Sequence, residues 1–219
     1  QPLHDRAVSL HQTGRLSDAE GAYQEILRLQ PDHFPALHLL GVVAFQRGQH
    51  DLAVQRIDAA LRVNPNSAEA LNNRGLALLA LKRQAEALDS FDRAIALDSS
   101  SVDSIYNRGL ALTELQRLED AVSTFDQAIA LKPDHAEALS NRGNVLITLE
   151  RYDEAIEHLT GAVRATPKSL LARVERGRCY AARQDFAKAM DDFTAAIKHW
   201  PNSPEAYLER AKIYETLGR

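Results

Sequence analysis

Small and apolar residues return along this chain at an interval of 34, and within each interval they keep a helical spacing. Let the repeats open at residues 34, 68, 102, 136, 170 and 204, after a first repeat one residue shorter. The eighth position then reads Ala7, Gly41, Gly75, Gly109, Gly143, Gly177 and Ala211. The twentieth reads Ala19, Ala53, Ala87, Ala121, Ala155 and Ala189, and the twenty-fourth is bulky: Tyr23, Ile57, Phe91, Phe125, Leu159 and Phe193. The twenty-seventh is Ile26 and then alanine five times, and the thirty-second is proline except at Ser99. Positions 4, 8 and 11 share one helical face, as do 20, 24 and 27. Small residues at 8 and 20 let two antiparallel helices approach closely, and the bulky residue at 24 fills the space beside them. Proline at 32 stops the second helix. The pattern predicts thirteen main helices and no strands, with hairpin joints at 14–17, 48–51, 82–85, 116–119, 150–153 and 184–187. One such pair cannot bury its apolar face alone, so neighbours must stack.

These columns resemble the tetratricopeptide repeat over the whole chain. The resemblance implies an all-α, right-handed superhelix in a single array, with repeats 1–33, 34–67, 68–101, 102–135, 136–169 and 170–203 and a partial repeat or cap at 204–219. The chain departs from the family pattern at position 4, which is Leu or Ile in five repeats, Arg173 in the sixth and aromatic only at Tyr207. It departs again at position 7, which is Arg in five repeats, and at Ser99, where a looser turn is expected. The stripe of Tyr207, Ala211, Tyr214 and Leu217 lacks a second helix to cover it. The chain is therefore expected to be part of a longer protein and to self-associate through this terminal helix.

The resemblance also places positions 2, 5, 6, 9, 12 and 13 of each first helix on a concave groove. Asn73, Asn107 and Asn141 occupy position 6 in three consecutive repeats. An amide offers two donors and an acceptor, so a row of them can hold an extended peptide backbone with little regard to sequence. This row is similar to the asparagine ladder in the repeat region of O-linked N-acetylglucosamine transferases. The candidate peptide-binding residues are Asn73, Asn107, Asn141 and Asn144, with Phe45, Leu76, Leu79 and Leu110 as an apolar floor. The Asn amides are expected to be free of strong intramolecular partners. The two-Lys, two-Asn, one-Arg clamp by which some related repeats hold a C-terminal carboxylate has no counterpart, because position 2 is mostly acidic.

Arg74, Arg108 and Arg142 each follow an aspartate, Asp58, Asp92 and Asp126, by 16 residues. This spacing reads as a structural ladder between successive repeats, with Arg176 and Arg210 facing Thr160 and Thr194 instead. His4, His11 and His38 are expected to be solvated rather than to hold a metal. Cys179 reads as a buried thiol, and Trp200 as a cover on the end of a helix pair. A net charge of −4 gives no overall attraction for nucleic acid or an anionic membrane, and no apolar run suits a membrane span. A single cysteine excludes a disulfide framework and fits a reducing, cytoplasmic setting. No phosphate loop, dinucleotide fingerprint or catalytic constellation is present, so neither an enzyme nor a cofactor is expected in this chain. The sequence thus points to a bacterial protein-binding scaffold for an extended peptide or partner segment. The alternative is the substrate-adaptor region of a larger glycosyltransferase-like or sulfotransferase-like enzyme.

Overall fold

The computed structural model describes residues 2–218, which form thirteen α-helices and no strand. They fall into two compact units. The N-terminal unit, residues 1–115, holds α1 (Pro2–Gln12), α2 (Leu16–Leu29), α3 (Phe34–Gln46), α4 (His50–Val63), α5 (Ala68–Ala80), α6 (Gln84–Leu97) and α7 (Val102–Glu114). The C-terminal unit, residues 116–219, holds α8 (Leu118–Leu131), α9 (Ala136–Thr148), α10 (Tyr152–Ala165), α11 (Leu170–Ala182), α12 (Phe186–His199) and α13 (Pro204–Thr216). Within each unit every helix packs on the next, and first helices also touch the first helices of neighbouring repeats, α3 on α5 and α9 on α11 among them.

The close approach inferred from the small residues is present. A Cβ added at Gly41 would lie 2.5 Å from Ile57 Cγ1, one at Gly75 2.4 Å from the Phe91 ring, one at Gly143 2.5 Å from Leu159 and one at Gly177 2.5 Å from the Phe193 ring. In these four repeats position 8 thus meets position 24 sixteen residues later. Every alanine at position 20 is fully buried, as are Tyr23, Ile57, Phe91, Phe125, Leu159 and Phe193. Removing one such side chain from water stabilises the fold by about 1.5–3 kcal/mol.

The hairpin joints fall one or two residues earlier than the sequence suggests, at 13–15, 47–49, 81–83, 115–117, 149–151 and 183–185. The cause is the residue at position 15, which turns left-handed in every repeat. Gly14 and Gly48 take φ of 75° and 72° there without cost, but Lys82, Gln116, Glu150 and Gln184 do so at 58–60°. The second helix can therefore begin at position 17. The first helices start on a device that the sequence reading missed. Position 34 of the preceding repeat is His33, Ser67, Ser101, His135 or Ser169, and each side chain accepts the N–H three residues on, at 3.2–3.3 Å. Nor is the turn at Ser99 loose. Asp98 Oδ1 accepts from Ser100 N at 3.0 Å and from Ser100 Oγ at 2.7 Å, and these bonds hold its carboxyl below the usual range.

Two substitutions test the close helix contact. Gly41→Ala would push its methyl against Ile57 Cγ1 and, at 3.2–3.3 Å, against the backbone of Ile57 and Ala53. It should cost about 1–2 kcal/mol despite alanine's better helix propensity. Ala87→Leu should cost about 1–3 kcal/mol. Urea denaturation midpoints measure both, and unchanged midpoints would show that the contact is not tight.

Candidate functional site

The first helices of the N-terminal unit are joined along one face by side-chain bonds between residues 35 apart. His11 Nε2 meets Gln46 Oε1 at 2.9 Å, linking α1 to α3. Asn73 Nδ2 donates to His38 Nε2 at 2.9 Å, linking α5 to α3, and Asn107 Nδ2 donates to Asn72 Oδ1 at 3.0 Å, linking α7 to α5. Position 5 of one repeat thus meets position 6 of the next. This corrects the expectation that the Asn amides have no strong intramolecular partner. Asn107 is buried, Asn73 is half-buried, and in the C-terminal unit Asn141 Nδ2 donates to Glu137 O at 2.9 Å. The signal for this relay, His38 and Asn72 at position 5, was in the sequence, but spacing alone did not show that neighbouring first helices come within hydrogen-bond reach.

Phe45, Leu76, Leu79 and Leu110 are half-buried on the first helices of the N-terminal unit. Asn144, in the C-terminal unit, keeps a buried Oδ1 with no hydrogen-bond partner. Of the histidines expected to be solvated, His38 is buried, while His4 and His11 are half-buried. His38 is 4% exposed and stacks on Phe34, His11 is half-buried beside Tyr23, and the His4 ring lies 5.5 Å from that of His33. Burial pushes the His38 pKa down against the opposing pull of Glu69.

The Arg column forms the ladder read from the sequence and extends it. Arg74 Nε donates to Asp58 at 2.7 Å, sixteen residues back, and its Nη1 donates to Ser90 Oγ at 2.7 Å, sixteen residues on. Arg108 Nε donates to Asp92 at 2.6 Å. In the C-terminal unit Arg142 Nη2 donates to Asp126 at 3.2 Å, while its Nε, 2.6 Å from the other oxygen, lies off the donor axis. Arg176 does reach Thr160 at 3.1 Å, but its main partner is Asp192, which accepts from Nε at 2.7 Å and from Nη2 at 2.6 Å. Arg173 lies 3.5 Å from the same buried carboxylate, which accounts for an Arg in place of an apolar residue at position 4. Arg210 lies over the Tyr207 ring rather than against Thr194.

At the end of the C-terminal unit Arg178 gathers Glu175, Glu205 and Glu209 at 2.6–3.1 Å. Burial raises the Glu175 pKa, with Arg178 opposing. Burial also pushes the Cys179 thiol up to about 12, so it is an inert core group. Trp200 is half-exposed, and its Nε1 donates to Lys168 O at 2.9 Å, so it pins one inter-repeat turn to the turn before it. The adjoining open recess of about 490 Å³, lined by Leu170, Trp200 and residues 201–205, includes none of the Asn residues. Tyr207, Tyr214 and Leu217 are 40–45% exposed. No helix among the described residues is long and apolar enough to cross a membrane.

A family model of the tetratricopeptide repeat matches residues 4–55, 38–102, 106–169, 142–204 and 174–219, and the chain belongs to this family. No protein of curated function matches the sequence significantly. Among solved structures, the chain is similar to PilF of Pseudomonas aeruginosa, with TM-score 0.83 at 19% identity over 96% of each chain. It is similar to PilW, a widely conserved type IV pilus biogenesis factor, with TM-score 0.83 at 18% identity over 94% of this chain and 96% of the other. YrrB, described as having an unusual peptide-binding site, gives TM-score 0.73 at 20% identity over 87% of this chain and 98% of the other. At these identities the likeness is one of fold.

Two histidines, buried His38 and half-buried His158, set a pH dependence. The folded pKa of His38 is lowered by burial, and that of His158 by burial and then by Arg142, with Asp126, Glu157 and Glu154 opposing. A histidine whose folded pKa lies below its unfolded value of about 6.5 binds its proton more readily in the unfolded chain. Its contribution is therefore present above pH 6.5 and is lost as the pH falls toward the folded pKa. Urea midpoints should fall between pH 7.5 and 5.5, and the fall should be smaller in His38→Gln/His158→Gln.

Proposed function

We propose that this chain is a non-catalytic scaffold that holds an extended segment of a partner protein along the first-helix face. The observation that carries the reading is the combination on α5 and α7. Half-buried Leu76, Leu79 and Leu110 lie on the same helices as Asn73 and Asn107, whose Oδ1 atoms accept no bond from the protein. Apolar side chains of a peptide can pack on the leucines while its backbone N–H groups reach the amide oxygens. In the C-terminal unit Asn141 and Asn144 lie together on α9 and belong to the same proposed face. YrrB shares the fold and has a peptide-binding site, which supports the class of ligand.

Finer points of the reading rest on the sequence. The fixed spacing of the three Asn residues supports a likeness to the repeats of bacterial O-linked N-acetylglucosamine transferase-like proteins, and so a second role as substrate adaptor in a larger enzyme. The buried, unreactive Cys179 suits a reducing compartment such as the cytoplasm. The exposed stripe of Tyr207, Tyr214 and Leu217 supports self-association through α13. The residue ranges of a single array, 1–219, belong to the same proposal.

The test is a peptide selected from a random display library on the immobilised chain and titrated by calorimetry. Leu76→Arg should weaken binding at least about tenfold, since a charge on the floor cannot be matched by an apolar side chain. Asn73→Ala/Asn107→Ala should weaken it too, at about 0.5–1.5 kcal/mol per lost bond. Because these amides also join neighbouring helices, the double variant should lose stability by about 0.5–1.5 kcal/mol per bond. Unaltered affinity in Leu76→Arg would overturn the reading.

A further inference from the structure

The relay between first helices is directional. Asn73 and Asn107 both use the Nδ2 end of the amide within the protein, toward His38 Nε2 and Asn72 Oδ1. An asparagine amide has two N–H hydrogens and one carbonyl oxygen; each of these two gives one N–H to its neighbour and keeps its whole carbonyl oxygen for a donor. The charges at the groove positions of these helices have one sign. At positions 2, 5, 6, 9, 12 and 13 of α1, α3, α5 and α7 the charged residues are Asp5, Glu69, Asp103 and Glu114, all exposed, with no Lys or Arg. The chain as a whole carries 26 Lys and Arg against 30 Asp and Glu, so their absence here is local and not a matter of composition. One cation approaches, Lys82, whose Nζ lies 3.5 Å from Glu114 and which comes from the turn after α5. Glu69 and Asp103 form no ion pair with Lys or Arg, whereas many carboxylates elsewhere in the N-terminal unit do, Asp58, Glu86 and Asp92 among them.

The geometry points to a basic, apolar-alternating extended peptide as the ligand of the α5–α7 face. The inference rests on the scaffold reading above and names its partner chemistry. Side chains of an extended strand alternate between two sides. Every second residue, if apolar, packs toward Leu76 and Leu110. The intervening Lys or Arg side chains lie toward Glu69 and Asp103, and backbone or ammonium N–H groups donate to Asn73 and Asn107 Oδ1. An acidic segment meets like charge at Glu69 and Asp103, and the face disfavours it.

Three synthetic peptides of equal length, alternating Leu with Lys, with Ser or with Glu, test this by fluorescence anisotropy at low and at physiological salt. The Lys peptide should bind about tenfold more tightly than the Ser peptide, with a gap that narrows as salt rises, and the Glu peptide should bind least. Glu69→Gln/Asp103→Asn should remove the Lys-over-Ser preference. Glu25→Gln/Asp89→Asn, the same charge change on α2 and α6, should leave it intact. Equal binding of all three peptides, or a preference that survives Glu69→Gln/Asp103→Asn, would overturn the inference while leaving the scaffold reading in place. Binding of none of the three would also overturn it, and the library-selected peptide then decides the scaffold reading by itself.

Discussion

The contact between position 8 and position 24 is the constraint on which every other feature depends. A glycine with no Cβ lets the second helix bring Ile57, Phe91, Leu159 or Phe193 onto the backbone of the first, closer than any larger residue permits. That approach fixes the separation and rotation of the two helices in a pair. Alanine at position 20 and a small residue at 27 then seal the pair from water. Because the contact recurs at one interval, successive first helices present the same face in the same direction. Only then can residues 35 apart meet, as His38 meets Asn73 and Asn72 meets Asn107.

Polar side chains in this chain mostly set register. The Arg column bonds sixteen residues back to an aspartate, or at Arg176 to Thr160, and, where position 23 allows, sixteen residues on to a hydroxyl or a carboxylate. These pairs are partly buried, so the cost of desolvating the charges offsets much of their attraction and their value is mainly in holding one repeat against the next. The local variations are coupled. Where position 23 becomes Asp192, position 4 becomes Arg173 and the two lie close together. Where it becomes His158, Arg142 keeps an unpartnered Nη1.

The same economy shapes the candidate binding face. Asn73 and Asn107 act in the fold through their amide nitrogens and offer the solvent their oxygens. A structural bond on the nitrogen therefore leaves the carbonyl oxygen wholly available to a donor from a ligand. The acidic residues at position 2 sit in the first turns of their helices, where the positive end of the helix dipole favours them whether or not a ligand is present.

The sequence by itself determined the fold class, the helix pairs, the buried columns and the Arg–Asp pairing. Each follows from a short-range periodicity that repeats six times, so it is legible as a column of like residues. Other features were decided only by tertiary structure. The turns moved because a left-handed residue at position 15 lets the next helix start early, even where that residue is Lys82 or Glu150 rather than glycine. His38 proved buried and bonded because α3 is enclosed by its neighbours. Asn73 and Asn107 lost their independence because first helices stack within side-chain reach. Which end of an amide is engaged depends on a neighbour 35 residues away, and on the distance and rotation between two helices that no one-dimensional spacing records.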